Sequence, residues 1–135
     1  MTHQRSYENG VLTISDGDGK MIMSLKQVID ESKGVVEFCA KGQITQEASL
    51  CFKNELEAFV QMNLKEYQKT KKQKWSIKVN LSDVKKVSAE TWGNLLDVQI
   101  LLEEHDMKAF VLTKIPGPLS KELSEIGFDQ LLNIE

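Results

Sequence analysis

The chain has 135 residues, 41% hydrophobic and 27% charged, which fits one globular domain long enough to bury a core. A net charge of −3 gives no overall case for nucleic acid or an anionic membrane as partner. No apolar run approaches the roughly 20 residues that span a bilayer, and the opening MTHQRSYENG lacks the apolar stretch of a secretory signal, so the expectation is a cytoplasmic protein with no membrane insertion.

Residues 1–20 read as an N-terminal extension, in which residues 1–10 are polar and loose and VLTI (11–14) has the character of a short extra strand. SDGDGK (15–20) is turn material, because Asp-Gly pairs tolerate positive φ. MIMSLKQVIDE (21–31) alternates imperfectly and favours a strand slightly over a helix; SKG (32–34) turns the chain. VVEFCAKG (35–42) is β-branched and aromatic and closes on a glycine, as a strand does.

A long helix is predicted over residues 46–70, where Leu50, Phe52, Leu56, Phe59, Val60, Met62 and Leu64 recur near a 3.6 period, with Thr45 as its N-cap. The basic run KTKKQK (69–74) reads as a solvated helix end, since it lacks interleaved aromatics. WSIKVNL (75–81) alternates strictly, as a strand.

DVKKVSAETWGNLL (83–96) then reads as a turn feeding a helix over about 89–104, with Trp92, Leu95, Leu96, Gln99 and Leu102 on one stripe. MKAFVLT (107–113) is a further strand. IPGPLSKELSEIGF (115–128) is a loop and a short helix with proline near its first turn and Gly127 as its C′ residue; DQLLNIE (129–135) is a short last strand. Strands separated by helices imply crossovers, so the predicted fold class is α/β: a mixed, largely parallel sheet of four to six strands against three helices, with leading strands pairing antiparallel at one edge.

No set of side chains offers a reaction. His3 and His105 are the only histidines, one in the polar terminus and one closing a helix, and EEHD (103–106) sets its carboxylates on different helix faces, so no metal site is predicted. DGDGK fails the calcium-loop pattern in either register. No glycine-rich phosphate loop and no nucleophile–base set is present. Cys39 and Cys51, the only cysteines, sit among apolar neighbours and read as small hydrophobes in a reducing compartment. The reading is therefore of a chain that binds, with no catalytic residue and no cofactor; a small enzyme is the weaker alternative.

Three passages carry a family resemblance: VVEFCAKGQIT (35–45), SIKVNLSDVKKVSAETWGNLLDVQILLEEHDMKAFVLTKI (76–115) and LSKELSEIGFDQLLNIE (119–135). In this order they resemble a STAS domain spanning residues 21–135, the fold of bacterial anti-sigma-factor antagonists and of the cytoplasmic tails of sulfate transporters. The resemblance implies a protein–protein interaction module in bacterial signal transduction and transcription regulation. Its partner would be an anti-sigma factor that is also a serine kinase, or a larger signalling complex, and a homodimer is compatible with it. A regulatory subunit of an ABC transporter ATPase is the alternative.

In such antagonists the helix start reads Asp-Ser-x-Gly and the serine is phosphorylated. Here Ser88 stands at the aspartate, Ala89 at the phosphorylated serine and Thr91 at the glycine. Asn80 replaces a common aspartate, and Gln43 and Thr45 stand where Glu and Asp often follow the glycine. Alanine accepts no phosphate, so the switch is either lost or moved to Ser88 or Thr91. Ser88 reads first as an N-cap accepting from the amide of Glu90 or Thr91. The resemblance assigns partner binding to Lys85, Lys86, Ser88, Ala89, Glu90, Thr91 and Trp92, Trp92 being either a core residue or an exposed anchor.

Overall fold

The computed structural model describes residues 3–70 and 75–135. Six strands form one open mixed sheet whose spatial order is the chain order: β1 (Gln4–Glu8), β2 (Val11–Ser15), β3 (Met21–Asp30), β4 (Val35–Ile44), β5 (Ser76–Val87) and β6 (Val111–Thr113). The pairings from β1 to β4 are antiparallel, and parallel pairing is confined to β4, β5 and β6, so the sheet is mixed as expected but not largely parallel, because short turns join the four leading strands as hairpins. Three helices, α1 (Gln46–Thr70), α2 (Ala89–Glu104) and α3 (Gly117–Glu125), complete a single α/β domain.

The two long helices run where the apolar period places them. In α1 the buried residues Ala48, Phe52, Leu56, Val60 and Leu64 recur every fourth position and make one stripe, while Leu50 and Met62, at other angles, are exposed. Thr45 caps this helix: its Oγ1 accepts from the amide of Ala48 at 3.1 Å. In α2, Trp92, Leu95, Gln99 and Leu102 of the predicted stripe are buried, with Val98 beside them, while Leu96 is only half-buried. One core cluster joins sheet to helices, with Val36, Phe38 and Ala40 of β4 and Ile77, Val79 and Leu81 of β5 alternating into it. Burying each large apolar side chain contributes about 2 kcal/mol.

Four segments differ from the sequence reading. Residues 4–8 are not loose: they form β1, held by a two-residue Asn9-Gly10 turn with both φ values positive. His3 is tied down as well, its Nε2 lying 2.9 Å from Thr45 Oγ1 and its Nδ1 3.0 Å from Glu47. Residues 83–87 are the end of β5 and not a turn. The strand expected over 107–113 covers only Val111–Thr113, because only these residues pair with β5 (Lys78–Asn80). The strand expected over 129–135 is a 3₁₀ turn at Phe128–Gln130 followed by a single bridge, Leu112 to Ile134. Gly127, at φ 80°, ends the α3 region as expected. The part of KTKKQK from residue 71 on lies outside the described residues.

Candidate functional site

The site is built at the carboxyl end of β4 and β5, where the parallel strands hand over to α1 and α2. In β5 the core positions run Ile77, Val79, Leu81 and then Val84, Val87. The period of two becomes three, twice, and each change coincides with a register shift against β4. At the second shift Gly42 faces Val84 and Gln43 faces Lys86, so Lys85 is an inserted residue, a β-bulge. A regular strand would send Lys85 and Lys86 to opposite faces. With the bulge, both are exposed and both line one groove.

That groove has a volume of about 880 Å³. Lys20 from the β2–β3 turn and Lys41 from β4 share its rim with the two β5 lysines, and Ile22 and Val84 contribute apolar floor. The turn that carries Lys20 is fixed by Asp16, whose Oδ1 accepts from the amides of Asp18 (2.9 Å) and Lys20 (3.0 Å). At Gly42 the backbones of β4 and β3 come very close. A Cβ built there overlaps the Ile22 carbonyl oxygen, and the φ of 102° is one that side-chain-bearing residues rarely adopt.

One residue, Ser88, links β5 to α2. Its amide donates to the Ile44 carbonyl at 2.8 Å, holding the helix start against the end of β4. Ser88 sits at the N-cap with extended backbone, but its side chain makes no capping bond. The expected Ser88 cap is thus corrected. The amide of Thr91 donates to the Ser88 carbonyl (3.1 Å), and the Ser88 hydroxyl lies 3.1 Å from the Thr91 hydroxyl. Ala89 and Glu90 are exposed and Ser88 is half-buried. Thr91 and Trp92 face inward, 1% and 0% exposed. Trp92 is therefore the core residue of the two readings and presents no surface to a partner; its Nε1–H donates to Glu122 Oε1 at 3.2 Å and ties α2 to α3. Asn94 donates to Ser49 Oγ at 2.9 Å, tying α2 to α1.

The other family-pattern positions fill structural roles. Asn80 Oδ1 accepts from the amide of Ser82 at 2.9 Å, Thr45 caps α1, and Gln43 is exposed. Cys39 and Cys51 are free and half-buried, less enclosed than small core hydrophobes. Burial, then a 3.3 Å hydrogen bond to Glu37, pushes the Cys39 thiol up to about 11, and burial raises Cys51 as well. Neither is poised as a nucleophile. Among the described residues no three His, Cys, Asp or Glu side chains gather as a metal site, and no helix is long and apolar enough to cross a membrane.

Lys20 and Lys41 are the groove residues that sequence reasoning missed. A signal did exist: Lys41 precedes the glycine of β4, and Lys20 closes the Asp-Gly turn leading into β3, the strand that pairs with β4.

The chain matches no protein-family model, and no functionally curated protein matches it in sequence. Solved structures do match. An anti-sigma factor antagonist from Mycobacterium paratuberculosis is similar with a TM-score of 0.58 at 11% identity, over 82% of this chain and 84% of that one. The protein TM1081, solved by NMR, is similar with a TM-score of 0.56 at 19% identity, over 82% and 78%. The anti-sigma factor antagonist SpoIIAA in its unphosphorylated form gives 0.53 at 12%, over 82% and 86%. The likeness is one of fold: this chain has the STAS-like α/β fold that its sequence resemblance implied.

Proposed function

We propose that this protein is a regulatory docking module that binds a partner protein with the surface where β5 passes into α2, in the manner of an anti-sigma-factor antagonist. Lys85, Lys86, Ser88, Ala89 and Glu90 form that surface. The partner is an anti-sigma factor with serine-kinase activity, or a larger signalling assembly. The observation that carries the reading is the open helix start: Ala89 and Glu90 are exposed beside a solvent-open groove, on a fold shared with two anti-sigma factor antagonists. The first helical amides and the helix dipole add partial positive charge there.

Binding is constitutive in this reading. Ala89 carries no hydroxyl, and the Thr91 hydroxyl is buried against Ser88, so a kinase would have to unwind the first turn of α2 to reach it. The test is a binding measurement between the purified protein and the anti-sigma serine kinases of the same genome, with and without ATP. The expected result is a complex whose affinity ATP leaves unchanged, no phosphate by intact mass, and at least a tenfold loss on Ala89→Arg. Stoichiometric phosphate on Ser88 would overturn constitutive binding; a complex indifferent to Ala89→Arg would overturn the docking surface.

A further inference from the structure

We infer that the lysine-rimmed groove beside α2 receives an acidic segment of the partner protein, with an apolar side chain of that segment seated between the lysines. The inference rests on the docking reading above and names what the partner brings to it.

Charge carries the argument. Lys20, Lys41, Lys85 and Lys86 line one groove, and none of the four makes an ion pair with a described residue. Even Lys41, which faces Asp83 across the β4–β5 register, makes no ion pair with it. The groove holds two carboxylates, Asp16 and Asp83, and Asp16 is already engaged by two backbone amides. The lining is thus net positive in a chain whose net charge is −3. Unpaired cations gathered in a concave site attract an anionic ligand and speed its encounter, an effect that salt screens over about 10 Å at 0.1 M.

The rest of the lining selects among anions. Ile22, half-buried, and the exposed Met21 offer an apolar floor that a purely charged ligand would leave unused. No Trp, Tyr or Phe lines the groove, so it has no platform on which nucleic-acid bases could stack. Carboxylates flanking a leucine or phenylalanine match both the rim and the floor.

The probe is a fluorescein-labelled peptide, Glu-Asp-Leu-Glu-Asp-Phe-Glu-Asp, titrated with the full chain and read by fluorescence anisotropy. Its controls are the same peptide with lysine in place of each acid, and a labelled oligothymidylate of equal length. The expected result is binding of the acidic peptide alone, weakened at least tenfold by the double change Lys41→Glu and Lys85→Glu. The uncharged pair Lys41→Met and Lys85→Met weakens it less, and Lys65→Glu with Lys69→Glu, on the far end of α1, changes it less than twofold. Circular dichroism of each variant checks the fold. Equal losses at the groove and at α1, no peptide binding, or tighter binding of the oligothymidylate would each overturn the inference. Its failure is separable from that of the docking reading: a partner complex that resists Lys20→Glu with Lys41→Glu, groove lysines outside the docking surface, yet is lost on Ala89→Arg overturns the acidic-segment assignment alone.

Discussion

The hydroxyl of Ser88 lies 3.1 Å from the hydroxyl of Thr91, and the head of α2 is held by backbone and by this side-chain pair without a side-chain cap. Thr45 at the head of α1 does cap, accepting from the Ala48 amide. The two helix starts should therefore respond differently to alanine. Ser88→Ala made together with Thr91→Val, so that no buried hydroxyl is left without its partner, is expected to cost less than about 0.5 kcal/mol, and Thr45→Ala about 1 kcal/mol or more. Urea denaturation of both variants at matched pH checks the order; a larger loss at Ser88 would show that its hydroxyl caps the helix in solution.

Gly42→Ala should be among the most damaging single changes outside the core. Its Cβ would meet backbone, the Ile22 carbonyl, which cannot swing aside as a side-chain tip can, and alanine is strained at φ 102°. A loss of roughly 2–4 kcal/mol is expected. Thermal unfolding measures it, and a melting point within a degree or two of wild type would contradict the close approach of β3 and β4.

Trp92 separates stability from docking. It is fully buried and bonded to Glu122. Trp92→Ala should cost about 3–5 kcal/mol through the cavity it leaves. Glu122→Ala should cost about 1–2 kcal/mol, because the buried indole N–H loses its acceptor. Lys85→Glu should stay within about 0.5 kcal/mol of wild type. Guanidinium denaturation ranks the three. A partner-binding defect in Trp92→Ala would therefore report on folding, whereas one in Lys85→Glu reports on the surface.

Cys39 should alkylate slowly at neutral pH. Burial first, and then the hydrogen bond to Glu37, hold its thiol near 11, so only about one molecule in a thousand is thiolate at pH 8. Its rate with iodoacetamide, followed by peptide mass mapping, should climb about tenfold per pH unit toward that value. Glu37→Gln removes the carboxylate that favours the protonated thiol and should raise the rate at pH 8. The linkage has a definite sign. The folded thiol holds its proton more tightly than the unfolded one, so its contribution to stability is complete below the ordinary thiol range and is lost as pH rises through about 11.

Local periodicity made most of the fold legible. The ends of α1 and α2 coincide with the predicted ones because each helix carries a stripe that only a helix can bury on one side. β1 escaped because Gln4–Glu8 is exposed at every position, so no alternation marks it; only the Asn9-Gly10 pair announced a hairpin. The end of β5 escaped for the opposite reason: its apolar residues are present, but the two bulges space Leu81, Val84 and Val87 by three, which mimics a turn. The groove was legible only in part, through Lys41 before the β4 glycine, Lys20 at the end of the Asp-Gly turn and the Lys85-Lys86 pair. Its lysines come from a turn and two strands that meet only once the sheet has formed; only Lys85 and Lys86 are adjacent in the chain.

Because the strands lie side by side in the order in which they occur along the chain, each one joins the rim left by its predecessor, and none has to wedge between two already paired. The pairings from β1 to β4 are between strands that follow one another through short turns, whereas β5 and β6 reach the sheet only across the crossovers through α1 and α2. The lysine-lined cleft consequently waits on the first of those crossovers: until β5 settles beside β4, there is nothing for a partner to grip.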